Sequence, residues 1–120
     1  MEEKPAGMKM AKKGNVTVVE LLDRKILDEF SIATISDKIF ALVDQKSPAA
    51  LVVDFAKVDH MSSSALGMLI TLHKRVRERN GQLRLCNIQP SIYEIFAITR
   101  LNEVFQICKT REEAIGQVTA

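Results

Sequence analysis

Three consecutive serines, Ser62, Ser63 and Ser64, stand in the stretch "VDHMSSSALGML" (58–69), where an apolar run ends and a helical pattern begins. Hydroxyls at such a place can cap a helix, act as nucleophiles, bind phosphate or accept it covalently. Capping needs one serine, whose oxygen accepts from an exposed backbone N–H and stabilises by about 1 kcal/mol. Ser62 or Ser63 could fill that role, which leaves two hydroxyls unexplained. Catalysis needs a base within hydrogen-bond reach and a third group that orients it. The chain has two histidines. His60 precedes Ser63 in what reads as a half-buried loop. His73 lies about 15 Å further along the same helix at 1.5 Å rise per residue and reads as a surface residue beside Lys74 and Arg75. Neither is placed to activate a serine, and the G-x-S-x-G elbow is absent, so no residue is assigned as catalytic. The phosphate loops G-x-x-x-x-G-K-[ST] and G-x-G-x-x-G are absent as well, and Gly67 falls well inside the helix. A regulatory phosphorylation site is the fourth reading. A helix N-terminus carries roughly half an elementary positive charge, and phosphoserine adds about −1.5 to −2 charges at neutral pH. The helix start can accept that anion where a partner packed over it could not.

The other candidate groups point to structure. Cys86 and Cys108 lie in the apolar contexts "LRLCNI" and "VFQICK" without CxxC or Cys/His spacing. That argues against a zinc site or a redox dithiol and for two small buried hydrophobes. No metal or cofactor is expected. The net charge of +2 sits at the start of the chain: residues 1–15 hold four of the 17 Lys and Arg and two of the 15 Asp and Glu, so residues 16–120 carry 13 of each sign. A neutral body lacks the basic face of a duplex-DNA binder, and no direct nucleic-acid contact is expected. The N-terminus lacks the apolar core of a signal peptide, and no stretch reaches about 18 apolar residues. The sequence therefore predicts no membrane partner and a cytoplasmic, reducing location.

The elements that must position the serines follow from periodicity. At 120 residues the chain fits one domain. Residues 1–14 are polar and aperiodic and read as a loose basic tail, leaving 15–120 as the domain. "VTVVELL" (16–22) reads as a strand and "KIL" (25–27) as a short second one. From Ser31 the positions Ile32, Ile35, Ile39, Leu42 and Val43 recur at the helical period until Ser47-Pro48. "AALVVDF" (49–55) is continuously apolar, the mark of a strand covered on both faces. After the serines, Ala65, Leu66, Leu69, Leu72 and Val76 form a second helical stripe. Met68 falls off that stripe and reads as an exposed contact, with Met61 packed under the loop. Lys74, Arg75, Arg77 and Arg79 at the helix end read as a solvated face favourable to the dipole, and Asn80-Gly81 closes the helix. "QLRLCNI" (82–88) alternates as a strand. Pro90 opens a helix continued by Ile92, Ile95, Phe96 and Thr99. "VFQI" (104–107) reads as a last strand. Thr110 and Glu113 form a capping box for a final helix through Ile115. Strands alternating with helices predict an α/β fold with a largely parallel sheet. In such sheets function gathers beyond the strands' carboxyl ends, where the serines lie.

The run "LVVDFAKVDHMSSSALGMLI" (51–70) resembles the central motif of STAS domains, specifically the bacterial anti-sigma factor antagonists, or anti-anti-sigma factors. That motif is an apolar strand, Asp-Phe, a few residues, and Asp-Ser-Ser-Gly-Leu-Gly opening a helix. "LDEF" (27–30), where the family often has Leu-Asp, and "GQLRLCNIQPSIYEIFAITRLNEVFQI" (81–107) extend the resemblance over most of the chain. It implies a single STAS-like α/β domain whose mixed, mostly parallel sheet of four to five strands carries about four helices. It also implies Ser63 as phosphoacceptor, Ser64 as the small residue after it, and Asp28 as the acidic residue in a loop near the same site. Ser62 replaces the family's Asp and Ala65 its Gly, which makes Ser62 the alternative acceptor. The implied function is a protein-binding switch without enzymatic activity. Unmodified, the domain binds an anti-sigma factor that is itself a serine kinase, and so frees a sigma factor. Phosphorylated, it is rejected until a serine phosphatase restores it. Asp28, Met61, Ser62, Ser64 and Met68 are the expected partner-binding positions. The competing expectation is a STAS scaffold or ligand-binding module that is never phosphorylated; either reading leaves room for a weak homodimer.

Overall fold

The computed structural model describes residues 8–45 and 50–119. In chain order the chain forms β1 (Met8–Lys13), β2 (Val16–Leu21), β3 (Lys25–Ile26), α1 (Glu29–Gln45), β4 (Ala50–Asp54), β5 (His60–Met61), α2 (Ser63–Glu78), β6 (Gln82–Cys86), α3 (Pro90–Ile98), a 3-10 turn (Leu101–Glu103), β7 (Ile107–Cys108) and α4 (Arg111–Thr119). The main sheet runs β1-β2-β4-β6-β7. Only β1 and β2 pair antiparallel, and the other three pairings are parallel. The sheet is therefore mixed and mostly parallel, with four helices.

Both faces of β4 are covered, as its apolar run requires. Leu51 and Val53 face the larger core with Ile35 and Ile39 of α1, Leu69 and Leu72 of α2, and Phe96 of α3. Val52 faces a smaller one with Val16, Val18, Cys86, Cys108 and Ala114 of α4. Burying each such Val, Leu or Ile contributes about 1.5–3 kcal/mol, so the sheet is held from both sides. Cys86 and Cys108 are free thiols in this smaller core.

Two elements differ from the sequence reading. Residues 8–13 are not part of a tail: they form β1, which turns back on β2 through Gly14 at φ +63°. Met8 alone of this strand is buried. A strand at a sheet edge that packs at one end carries no apolar alternation, and its lysines protect the edge from further pairing. The expected tail is thus left with residues 1–7, which lie outside the described residues, as does Ser47-Pro48. The last strand is Ile107–Cys108 rather than 104–107, because Phe105 turns into the core and packs edge-on against Phe96 at 5.7 Å between ring centroids.

The helix ends follow local rules. Asn80 takes the left-handed conformation at φ 58°, and the Gly81 N–H donates to the Val76 carbonyl at 2.9 Å. Thr110 Oγ1 accepts the Glu113 N–H at 3.1 Å, while the Glu113 carboxylate accepts the N–H of Lys109 at 2.9 Å, one residue before the usual capping-box donor.

Candidate functional site

A second, two-stranded sheet builds the site. β3 and β5 pair in parallel, Lys25 against His60 and Ile26 against Met61. Each leads within three residues into a helix, so the N-termini of α1 and α2 open side by side. Their positive ends face the same region of the surface.

The three serines occupy three environments there. Ser62 is the N-cap of α2: its backbone N–H donates to the Ile26 carbonyl at 3.1 Å, and its Oγ accepts the Ala65 N–H at 3.2 Å. Ser64 donates its hydroxyl to Glu29 Oε2 at 3.2 Å, tying α2 to the first turn of α1. Ser63 lies between them at the first helical position, exposed, and among the described residues no group hydrogen-bonds its hydroxyl. Asp28 caps α1 by accepting the Ser31 N–H at 2.9 Å, and that donor holds its carboxyl below the usual carboxylate range. Leu27 and Phe30 flank the site as exposed apolar side chains, Phe30 with 79% of its surface open. Beside them Asp59 accepts from Arg24 at 2.9 Å and meets His60 Nδ1 at 2.6 Å; the Arg24 hydrogen bond, then that of His60, lowers its carboxyl.

A buried carboxylate anchors the approach to the serines. Asp54, 3% exposed at the carboxyl end of β4, accepts the Ala56 N–H at 2.9 Å, Asn87 Nδ2 at 3.1 Å, and Arg111 Nε and Nη2 at 2.8 and 2.7 Å. Arg111 also faces Glu20 at 3.6 Å. One side chain thus fixes the start of the β4–β5 connection, the end of β6 and the N-terminus of α4.

The STAS domain model matches residues 8–114. The chain belongs to the STAS domain family. Among its relatives, the anti-sigma factor antagonist BtrV of Bordetella bronchiseptica is 30% identical over 69 residues, 58% of this chain and 60% of that protein. The chain thus spans less than two thirds of that relative's length. The anti-sigma-B factor antagonist of Bacillus subtilis is 27% identical over 89 residues, 74% of this chain and 80% of that one. The phosphorylated form of the Bacillus cell fate determinant SpoIIAA shares the fold, with a TM-score of 0.70 at 21% identity over 92% of this chain and 98% of that one.

In this STAS domain the expected site residues divide into surface and floor. Asp28 stands at the N-terminus of α1 and Ser62, Ser63 and Ser64 at that of α2, with the Ser64–Glu29 bond joining the two. Met61, the second residue of β5, is buried, as expected of a side chain packed under the loop. Met68 corrects the sequence reading: it is 8% exposed and belongs to the core. Position 68 stands three after Ala65 and four before Leu72, both fully buried, so it shares their face; Leu66 is the partly buried edge of that stripe. Met68 and Ile32 line a shallow groove of about 240 Å³ between α1 and α2 that begins at Ser64 and Glu29. The far end of α2 is tied down rather than free: Arg75 and Arg79 reach Asp44 of α1 at 3.4 and 3.3 Å, and the Arg75 guanidinium lies 4.5 Å above the Phe40 ring.

Neither histidine serves Ser63. His60 is exposed rather than half-buried and is engaged with Asp59. His73 is partly buried rather than at the surface, packed edge-on against Phe105 at 5.3 Å; desolvation, then the Arg77 charge, lowers its pKa. Asp54 was missed as a site residue, although a carboxylate closing a continuous apolar run is a readable sign of a buried ion pair. Among the described residues no group of three His, Cys, Asp or Glu could hold a metal ion, and no helix is long and apolar enough to cross a membrane.

Proposed function

We propose that this STAS domain is an anti-sigma factor antagonist, a cytoplasmic protein-binding module switched by phosphorylation of Ser63. The observation that carries the reading is the division of labour among the serines. Ser62 is committed to its cap and Ser64 to Glu29, which leaves Ser63 as the exposed hydroxyl open to a modifying enzyme. Among the described residues no group hydrogen-bonds that hydroxyl to activate it as a nucleophile, and the domain acts by binding rather than by catalysis. The names of the Bordetella and Bacillus relatives support the antagonist role.

In the unmodified state the surface over both helix N-termini docks an anti-sigma factor that is also a serine kinase. Ser63, Asp28 and the Ser64–Glu29 tie lie at its centre, with Met61 and Met68 supporting it from below. A phosphate on Ser63 is tolerated in the free domain, because it sits at the positive end of α2. In the complex it would be desolvated against the partner and held near the Glu29 carboxylate. A penalty of roughly 3–4 kcal/mol weakens binding about 100- to 1000-fold, and a serine phosphatase reverses it.

The test is to incubate the domain with such a kinase and ATP and map the phosphate by mass spectrometry, with Ser63→Ala as control. Phosphate on Ser63 and a matching loss of partner affinity for Ser63→Asp are expected. Label confined to positions outside 62–64 overturns the assignment. Unchanged affinity of Ser63→Asp marks a STAS scaffold instead.

A further inference from the structure

The register of β6 and β7 sets Cys86 directly opposite Cys108. Paired residues on neighbouring parallel strands project from the same face, and the strands lie about 4.7–4.9 Å apart. Both thiols belong to the core under α4, with Val16, Val18 and Val52 around them. The strand spacing falls inside the window of about 4.4–6.8 Å between Cα atoms that a disulfide spans. β7 has two residues and forms the sheet's edge, so a small shift toward β6 meets no further strand on its other side. Two cysteines without a motif in the sequence are a dithiol in the fold.

We propose that Cys86 and Cys108 are a redox-modification site, a thiol pair that a hydroperoxide converts to an intramolecular disulfide. Cys108 is the point of entry. It is 6% exposed on the edge strand, whereas Cys86 is fully buried. The Cys108 thiolate attacks the hydroperoxide, the O–O bond breaks, Cys108 becomes its sulfenic acid, and the hydroxide or alkoxide that leaves takes up the proton released when the thiol ionised, departing as water or an alcohol. Cys86 sulfur then attacks Cys108 sulfur. The S–O bond breaks, and the oxygen departs as water with the proton from Cys86. The two thiols together lose two electrons and two protons, and the hydroperoxide takes up both.

Both thiols are held in the protonated form by their burial. Burial pushes the Cys86 thiol up to about 12, with the charges of Asp54 and Glu112 acting in the same direction and that of Arg111 against it. Desolvation, then Glu113, raises Cys108, with Arg84 opposing. Thiolate is scarce at neutral pH and rises about tenfold per pH unit below the thiol pKa.

The experiment is to expose the folded chain to hydrogen peroxide at pH 7 and pH 9, block the remaining thiols, digest without reduction and map the peptides. A Cys86 peptide joined to a Cys108 peptide in monomeric protein, about 2 Da lighter than the dithiol and restored by dithiothreitol, is the expected product. It should form faster at pH 9 than at pH 7. In Cys86→Ser the second step is blocked, and dimedone should trap Cys108 sulfenic acid. Thiols that survive intact, Cys108 sulfinic acid without a cross-link, or a disulfide only between two molecules each overturn the proposal. Should Cys86→Ser fail to fold, the peptide map of the unaltered chain decides alone.

Discussion

Replacing the serines one at a time distinguishes their roles without any partner protein. Ser62→Ala removes the Oγ that accepts the Ala65 N–H at 3.2 Å. Loss of an N-cap costs about 1 kcal/mol, with a range of roughly 0.5–2; Ser62 is half-buried, so water replaces the bond only in part. For a domain of this size 1 kcal/mol corresponds to about 3–6 °C in Tm. Ser63→Ala removes a hydroxyl with no protein partner among the described residues and should stay within about 0.5 kcal/mol of the parent. Ser64→Ala breaks the bond to Glu29, which is exposed at both ends, and should also remain within about 0.5 kcal/mol. Thermal and urea unfolding followed by circular dichroism reads all three. The reasoning fails if Ser63→Ala destabilises more than Ser62→Ala. Residue 63 would then be the cap and residue 62 the free hydroxyl, and the phosphoacceptor would move with it.

Three further outcomes follow from the geometry. Asp54→Ala strips Arg111 of its main partner and leaves the Ala56 N–H and Asn87 amide without theirs; with Arg111 partly open to water, a loss of about 2–4 kcal/mol in urea unfolding is expected, and a loss below 1 kcal/mol would show that α4 is held elsewhere. Met68→Ala should cost about 2–4 kcal/mol as a core cavity, whereas a surface contact would change stability by less than about 0.5 kcal/mol. Asp28 has its folded pKa lowered from 3.8, so its stabilisation is present above that pH and is lost as pH falls through the folded value; Asp28→Asn keeps a capping oxygen and should flatten this part of the acid-unfolding curve, and an unaltered curve would show that the cap carries no pH dependence.

Much of the architecture is written in short-range pattern. The stripes of α1 and α2, the doubly covered β4, Pro90 at a helix start and Thr110 before α4 each follow from neighbours within about four residues, where periodicity and capping act. The serine triplet belongs with them: its place beyond a parallel strand, at a helix N-terminus, is legible from residues 49–76 alone. Met68 was misjudged even at this range, because the stripe admitted Leu66 where the packed face takes Met68. A helix face is some 100° wide, and the sequence does not say where its edge falls.

Pairing over long distances decided the rest. β1 carries no alternation and is a strand because β2 offers it hydrogen bonds; β3 and β5, two residues each, persist by pairing with each other. That pairing sets the two helix starts together and brings Glu29 to the Ser64 hydroxyl. Asp54 and Arg111, 57 positions apart, form an ion pair, and Cys86 meets Cys108, through the register of neighbouring strands and the return of α4 over them. The sequence by itself determined which hydroxyls stand at a helix N-terminus. The tertiary structure decided which of them is free, because a hydrogen-bond partner 35 residues away in the chain is chosen by chain packing and not by local preference.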